Sequence, residues 1–160
     1  MKKLVLVLMI IALAFTLVGC SSTGSEAAEE EPSIEGALED IMAKIYLGVD
    51  QEYPAMMTTV VDETNVAYFL GTDDVSYMEA LASEPMMSSF AHSTVLLRVD
   101  DETDVDTLME TIRTNVDPRK WICVGVEEDQ VIVDRVGDLI ILIMDHEADN
   151  LHEHFLSLAE

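Results

Sequence analysis

Apolar residues recur along this 160-residue chain with two periods, and the change from one to the other outlines the fold. The spacing Ile34, Leu38, Ile41, Ile45, flanked by Ala37 and Met42, predicts a helix that Ser33 caps and Gly48 ends. Two β-rich runs, 58–61 and 66–70, stand on either side of the polar stretch Asp62-Glu63-Thr64-Asn65 and predict a hairpin. Val75, Met78, Leu81 and Ala82 return to helical spacing, with Asp73 or Asp74 as the cap and Pro85 as the stop. Residues 93–99 read as a strand. An acidic run, 100–106, then opens the clearest amphipathic pattern in the chain: Val105, Leu108, Met109, Ile112 and Val116 on one face, capped by Thr103 or Asp104 and closed by Pro118.

Three strand candidates follow in quick succession, 120–126, 131–136 and 139–144, joined by Glu127-Glu128-Asp129-Gln130 and by Gly137-Asp138. Connections this short join antiparallel neighbours, which predicts a C-terminal three-strand meander. Residues 140–144 are apolar on both faces and should form a strand covered on both sides. A last helix from about Glu147 carries Leu151, Phe155 and Leu158. Runs of strands between helices, without strict alternation, predict a small single α+β domain: a mainly antiparallel sheet, built from the hairpin and the meander, with amphipathic helices packed on it.

The chain before this domain has a different character. Lys2 and Lys3 precede an apolar run, 4–15, and small residues lead to Cys20, which is the layout of a secretory signal. The run is short beside the ~20 apolar residues that a permanent membrane span needs. Leu17-Val18-Gly19-Cys20 resembles a bacterial lipobox. The resemblance implies cleavage before Cys20 and diacylglycerol on its thiol, hence a protein anchored by lipid (palmitate among the acyl chains) on the extracytoplasmic side of the cell membrane. Two acyl chains suffice for stable tethering where one does not. The division expected is a signal peptide over 1–19, the lipidated Cys20 with an acidic, flexible spacer to 33, and the domain from 34 to 160.

Charge narrows the partners. The chain holds 32 acids against 8 bases, and cleavage would remove Lys2 and Lys3 to leave 6 bases and a net charge of −26. Such a field repels nucleic acid and anionic lipid, so no nucleic-acid partner is expected, and it concentrates divalent cations. Once Cys20 is acylated, Cys123 is the one thiol left and no internal disulfide can form. Its apolar setting, Trp121-Ile122-Cys123-Val124-Gly125-Val126, predicts a small buried hydrophobe.

Candidate chemistry is sparse. The run 100–106 lacks the glycine and twelfth-position glutamate of a calcium loop, and a helix start explains it. His146, Asp149, His152 and Glu153 are the candidates for a transition-metal site, but their spacing is not that of His-Glu-x-x-His, and no cofactor or metal is expected. The methionines are predicted mainly to fill the core, although Pro54-Ala55-Met56-Met57 and Pro85-Met86-Met87 look alike and could line an adaptable groove or, with His92, offer thioethers to Cu(I). Arg113, Arg119, Lys120 and Trp121 bring half of the mature chain's bases beside its single Trp. They are the candidate binding residues, for an anion or a carboxylate-bearing partner; the plainer reading pairs them with nearby acids. No catalytic motif is present, neither Gly-x-Ser-x-Gly nor a glycine-rich phosphate loop, and the expected role is non-enzymatic.

The segments 115–126 (NVDPRKWICVGV) and 131–140 (VIVDRVGDLI) resemble uncharacterised lipoproteins of anaerobic Gram-positive bacteria that carry a small domain of unknown function. The resemblance implies a single-domain, lipid-anchored surface protein and assigns no functional residue. The expectation is a membrane-tethered binding or interaction module, with another extracytoplasmic protein or a small anion as partner. A divalent-cation-binding surface protein is the alternative.

Overall fold

The computed structural model describes residues 32–159; the signal, the lipobox, Cys20 and nearly all of the spacer lie outside them. In chain order the elements are α1 (Leu38–Leu47), β1 (Met56–Val60), α2 (Val66–Leu70), β2 (Glu79–Pro85), β3 (His92–Arg98), α3 (Val105–Asn115), a 3-10 turn (Glu128–Gln130), β4 (Val131–Val136), β5 (Leu139–Asp145) and α4 (Ala148–Ser157). The strands form one sheet in the order β1-β2-β3-β5-β4, antiparallel at every junction. The α+β class is therefore as expected.

Strand alternation sends Ala80, Ala82, Val95, Leu97, Ile140, Leu142 and Met144 to one face, where α2, α3 and Trp121 close the core. Leu81, Leu96, Leu139, Ile141 and Ile143 face the other way, against α1 and α4. A layer of helices thus covers each face. β5 is buried along its whole length between β3 and β4, as its unbroken apolar run requires.

Three predicted elements are corrected. Residues 66–70 form α2, not the second arm of a hairpin: Val66, Phe69 and Leu70 are buried and Ala67 and Tyr68 exposed, a helical spacing that packing selects over β propensity. Its start is set by a local turn in which Asp62 N–H donates to Asn65 Oδ1 and Thr64 N–H to Asp62 Oδ1. Residues 79–85 form β2, not a capped helix. An interior strand buried on both faces loses its period of two, and Leu81 beside Ala82 then mimics a helical stripe. Residues 120–126 join no sheet, so the meander reduces to the β4–β5 hairpin around Gly137 and Asp138. A loop closed by Val126 N–H on the Pro118 carbonyl turns Trp121 and Val126 into the core and leaves Ile122 and Cys123 outside. Cys123 is exposed, with φ at +63°, and is not the buried hydrophobe expected.

Helix starts follow expectation in part. Asp104 caps α3 by accepting from Thr107 N–H at 3.1 Å. Ser33 does not cap α1; Ala37 stands at that position without a side-chain bond, and Ile34 is buried ahead of the helix. Gly71 ends α2 at φ +76°, where a Cβ would overlap the Asn115 carbonyl at the end of α3. Gly71→Ala should therefore lose about 3 kcal/mol of unfolding free energy, from left-handed strain and from overlap with rigid backbone. Chemical denaturation checks this: Gly36→Ala, which has positive φ but open space, should lose clearly less.

Candidate functional site

One end of the sheet, where β2 and β5 finish and β3 begins, gathers the chain's buried polar chemistry. On the α1/α4 face, Asp145 Oδ2 lies 2.6 Å from His92 Nδ1, and His92 Nε2 lies 2.6 Å from the Tyr46 hydroxyl. Neither His92 nor Asp145 reaches water. With the carboxylate accepting from Nδ1–H, Nε2 is left to accept from Tyr46. Burial pushes the Tyr46 hydroxyl up to about 12, so it keeps its proton and donates. The Tyr53 ring packs against His92, tilted by 55° with ring centres 4.6 Å apart, and burial, then Asp145, raises its hydroxyl further still. The other oxygen of Asp145 accepts from Glu147 N–H at 2.6 Å, at the start of α4.

Sequence reasoning missed this relay, because its members lie 46 and 53 residues apart and no spacing connects them. The available signal was a histidine at the start of one predicted strand and an aspartate at the end of an otherwise apolar one. Chemically the trio resembles a proton relay, and His92 within it is fully buried. It acts as a tie between helix and sheet.

The opposite face at the same end holds an ion pair. Lys120 Nζ lies 2.7 Å from Glu84 Oε1, outside the angle of a directed hydrogen bond, and 3.3 Å from Ser93 Oγ. It also sits 4.5 Å from the centre of the Tyr68 ring, whose hydroxyl donates to Glu84 Oε2. Burial lowers the ammonium's pKa, and the Glu84 carboxylate opposes that shift. Trp121 is buried beside it, and its Nε1 has no partner among the described residues.

The four candidate binding residues are thus not gathered into one open site. Arg113 bonds Glu110 at 2.9 Å and the Val133 carbonyl at 2.9 Å. Arg119 is exposed and meets Glu127 at 3.4 Å, while Lys120 and Trp121 turn inward. The histidines also disperse: His146 contacts Gln130, His152 lies 2.6 Å from Asp134, and Asp149 and Glu153 face solvent. Among the described residues no group of three or more His, Cys, Asp or Glu side chains is placed to hold a metal ion.

The methionines give the clearest surface. Core filling holds for Met42 and Met144, but Met57, Met78, Met86 and Met87 are each more than half exposed, which corrects the expectation for them. The two look-alike stretches lie side by side: Met56 pairs with Pro85, and Met86 N–H donates to the Ala55 carbonyl at 2.9 Å. Met57 faces Glu84 across the ladder, next to Tyr68, so thioethers and a half-exposed phenol flank the buried ion pair. Comparison with known protein families, curated proteins and solved structures gives no match.

The tyrosines supply a pH test. All four, Tyr46, Tyr53, Tyr68 and Tyr77, have hydroxyls raised above their ordinary value by burial, Tyr46 and Tyr68 to about 12. The folded state holds these protons more tightly than the unfolded chain, so stability is full below pH ~10 and falls as pH rises toward ~12. Denaturant melts across that window should show the decline. Tyr46→Phe should make the decline shallower and, at neutral pH, should lower stability by about 1–3 kcal/mol by leaving His92 Nε2 with only the Thr94 hydroxyl, 3.4 Å away.

Proposed function

We propose that this chain is a lipid-tethered, extracytoplasmic interaction module without enzymatic activity, and that it meets its partner at the methionine-rich end of the sheet. The carrying observation is the juxtaposition of the Pro54 and Pro85 stretches, which leaves Met57, Met86 and Met87 exposed together at the end of the β1–β2 ladder. Thioethers are flexible and polarisable and suit a surface that must adapt to another protein. Large exposed apolar side chains held together on a strongly charged molecule mark an interaction surface more often than a random surface residue does. Two further features support the non-enzymatic part. The imidazole of His92 is enclosed, and the bases Arg113 and Lys120 serve internal contacts.

The tether rests on the lipobox alone. In cells that make the full chain, Cys20→Ser should abolish incorporation of labelled palmitate and release the protein from the membrane fraction; label retained by the variant would reject the anchor. For the interaction, a photo-reactive methionine analogue at Met86 should cross-link a discrete partner on intact cells. The same group at Asp149, an exposed position on α4, is the control. Equal labelling from both positions would reject the methionine-rich end as the interaction surface.

A further inference from the structure

We propose that the outer edge of β1 takes up an extended segment of another protein as an added strand, and that this segment is a short uncharged run flanked by Lys or Arg at both ends. The proposal rests on the reading of the domain as an interaction module, and it names the surface and the chemistry of the partner.

The edge is open by its hydrogen-bond pattern. Val61 N–H donates to the Ala80 carbonyl, and Met86 N–H donates to that of Ala55, so residues 55 and 61 face β2. Alternation makes 57 and 59 do the same and turns the backbone of Met56, Thr58 and Val60 outward. Asn65 Nδ2 takes the Val60 carbonyl at 3.0 Å; among the described residues the remaining outward groups of Met56, Thr58 and Val60 have no partner. β1 is also uncovered by helices: Met57 on one face of the sheet and Val60 on the other are more than half exposed. An incoming strand would therefore find both a ladder to complete and apolar neighbours on each side.

The other edge of the sheet is protected. On β4 the Val133 carbonyl accepts from Arg113, and the strand carries Asp134 and Arg135. Natural sheets blunt their edges in this way, with charges and covering side chains. β1, with the sequence MMTTV, carries no charge, and only its last carbonyl, that of Val60, is covered, by Asn65.

Charge selects the occupant. Glu52 lies before β1 and Asp62 and Glu63 lie after it, all exposed, so the uncharged edge is bracketed by acids. A partner strand with bases at both ends meets them in either direction. A second copy does not: antiparallel pairing of two β1 strands about Thr58 brings Glu52 of one copy beside the turn carrying Asp62 and Glu63 of the other. The chain's own spacer, SSTGSEAAEEEPS over 21–33, is acidic and has no alternating apolar positions.

The test uses amide hydrogen exchange on the full-length lipidated chain in detergent, with synthetic peptides as probes. The basic probe is Lys-Lys-Thr-Val-Thr-Val-Thr-Lys-Lys. At saturation it should slow exchange at Met56, Thr58 and Val60 by about tenfold or more. The same peptide with Glu for Lys, or with alternate amides N-methylated, should not. The double variant Glu52→Lys/Glu63→Lys, which changes only exposed side chains, should reverse the preference between the basic and acidic probes. Thr58→Pro removes an outward N–H, leaves the ladder to β2 intact, and should weaken the basic probe about tenfold.

Absence of protection by the basic probe overturns strand addition, as does equal protection by the N-methylated one. Concentration-dependent protection in the peptide-free chain would assign the edge to a second copy and likewise overturn it. Cross-linking from Met86 separates the two levels: if it persists while protection fails, the interaction module stands without strand addition, and if both fail, both fall.

Discussion

Asp145 and His92 meet at 2.6 Å with neither side chain in water, and three parts of the molecule depend on that contact. His92 opens β3, Asp145 closes β5, and the two strands are neighbours over their whole length. Through Nε2 the histidine holds Tyr46 near the end of α1; through its second oxygen the aspartate receives the first turn of α4. Stranding either partner of such a buried pair costs several kcal/mol, because the survivor has no solvent to turn to. The two helices on that face are therefore held to the sheet by polar contacts as well as by the apolar contacts of Ile41, Ile45, Leu151 and Phe155.

The opposite face shows the same device with different chemistry. Glu84 and Lys120 form an ion pair beneath Tyr68 and beside Trp121, anchoring a loop that has no sheet partner among the described residues. The pair explains how 120–126 stays fixed once it leaves the strand pattern: Lys120 and Trp121 enter the structure, while Ile122 and Cys123, the latter at positive φ, face outward. It also draws one of the chain's 8 bases into the interior and away from the outer surface.

What could be read from sequence divides along physical lines. α3, α4, β3 and the β4–β5 hairpin were legible because each shows its own period, caps or turn residues. The stretches 66–70, 79–85 and 120–126 were not, because tertiary context decides each of them. Val-Ala-Tyr-Phe-Leu is β-rich by composition yet buries a helical face, and Ala-Leu-Ala-Ser carries no alternation because both faces of β2 are covered. The Arg-Lys-Trp cluster at 113–121 showed an unusual composition, while its pairing with Glu110, Val133 and Glu84 required the fold. The Met-Met repeats were visible as a likeness; that the likeness reflects adjacent ends of one ladder was not.

The two edges of the sheet are protected by different means, and the difference is consistent with the charge of the whole molecule. β4 relies on its own Asp134 and Arg135 and on Arg113 across it. β1 has only Asn65 on its last carbonyl, and in a neutral protein such an uncharged MMTTV strand would invite pairing between copies. Here the net charge of −24 opposes the approach of one copy to another, most strongly at low ionic strength. The guard is thus placed on the molecule and not on the strand. Such an arrangement excludes like-charged chains while leaving the backbone edge free, and an oppositely charged extended segment meets neither barrier.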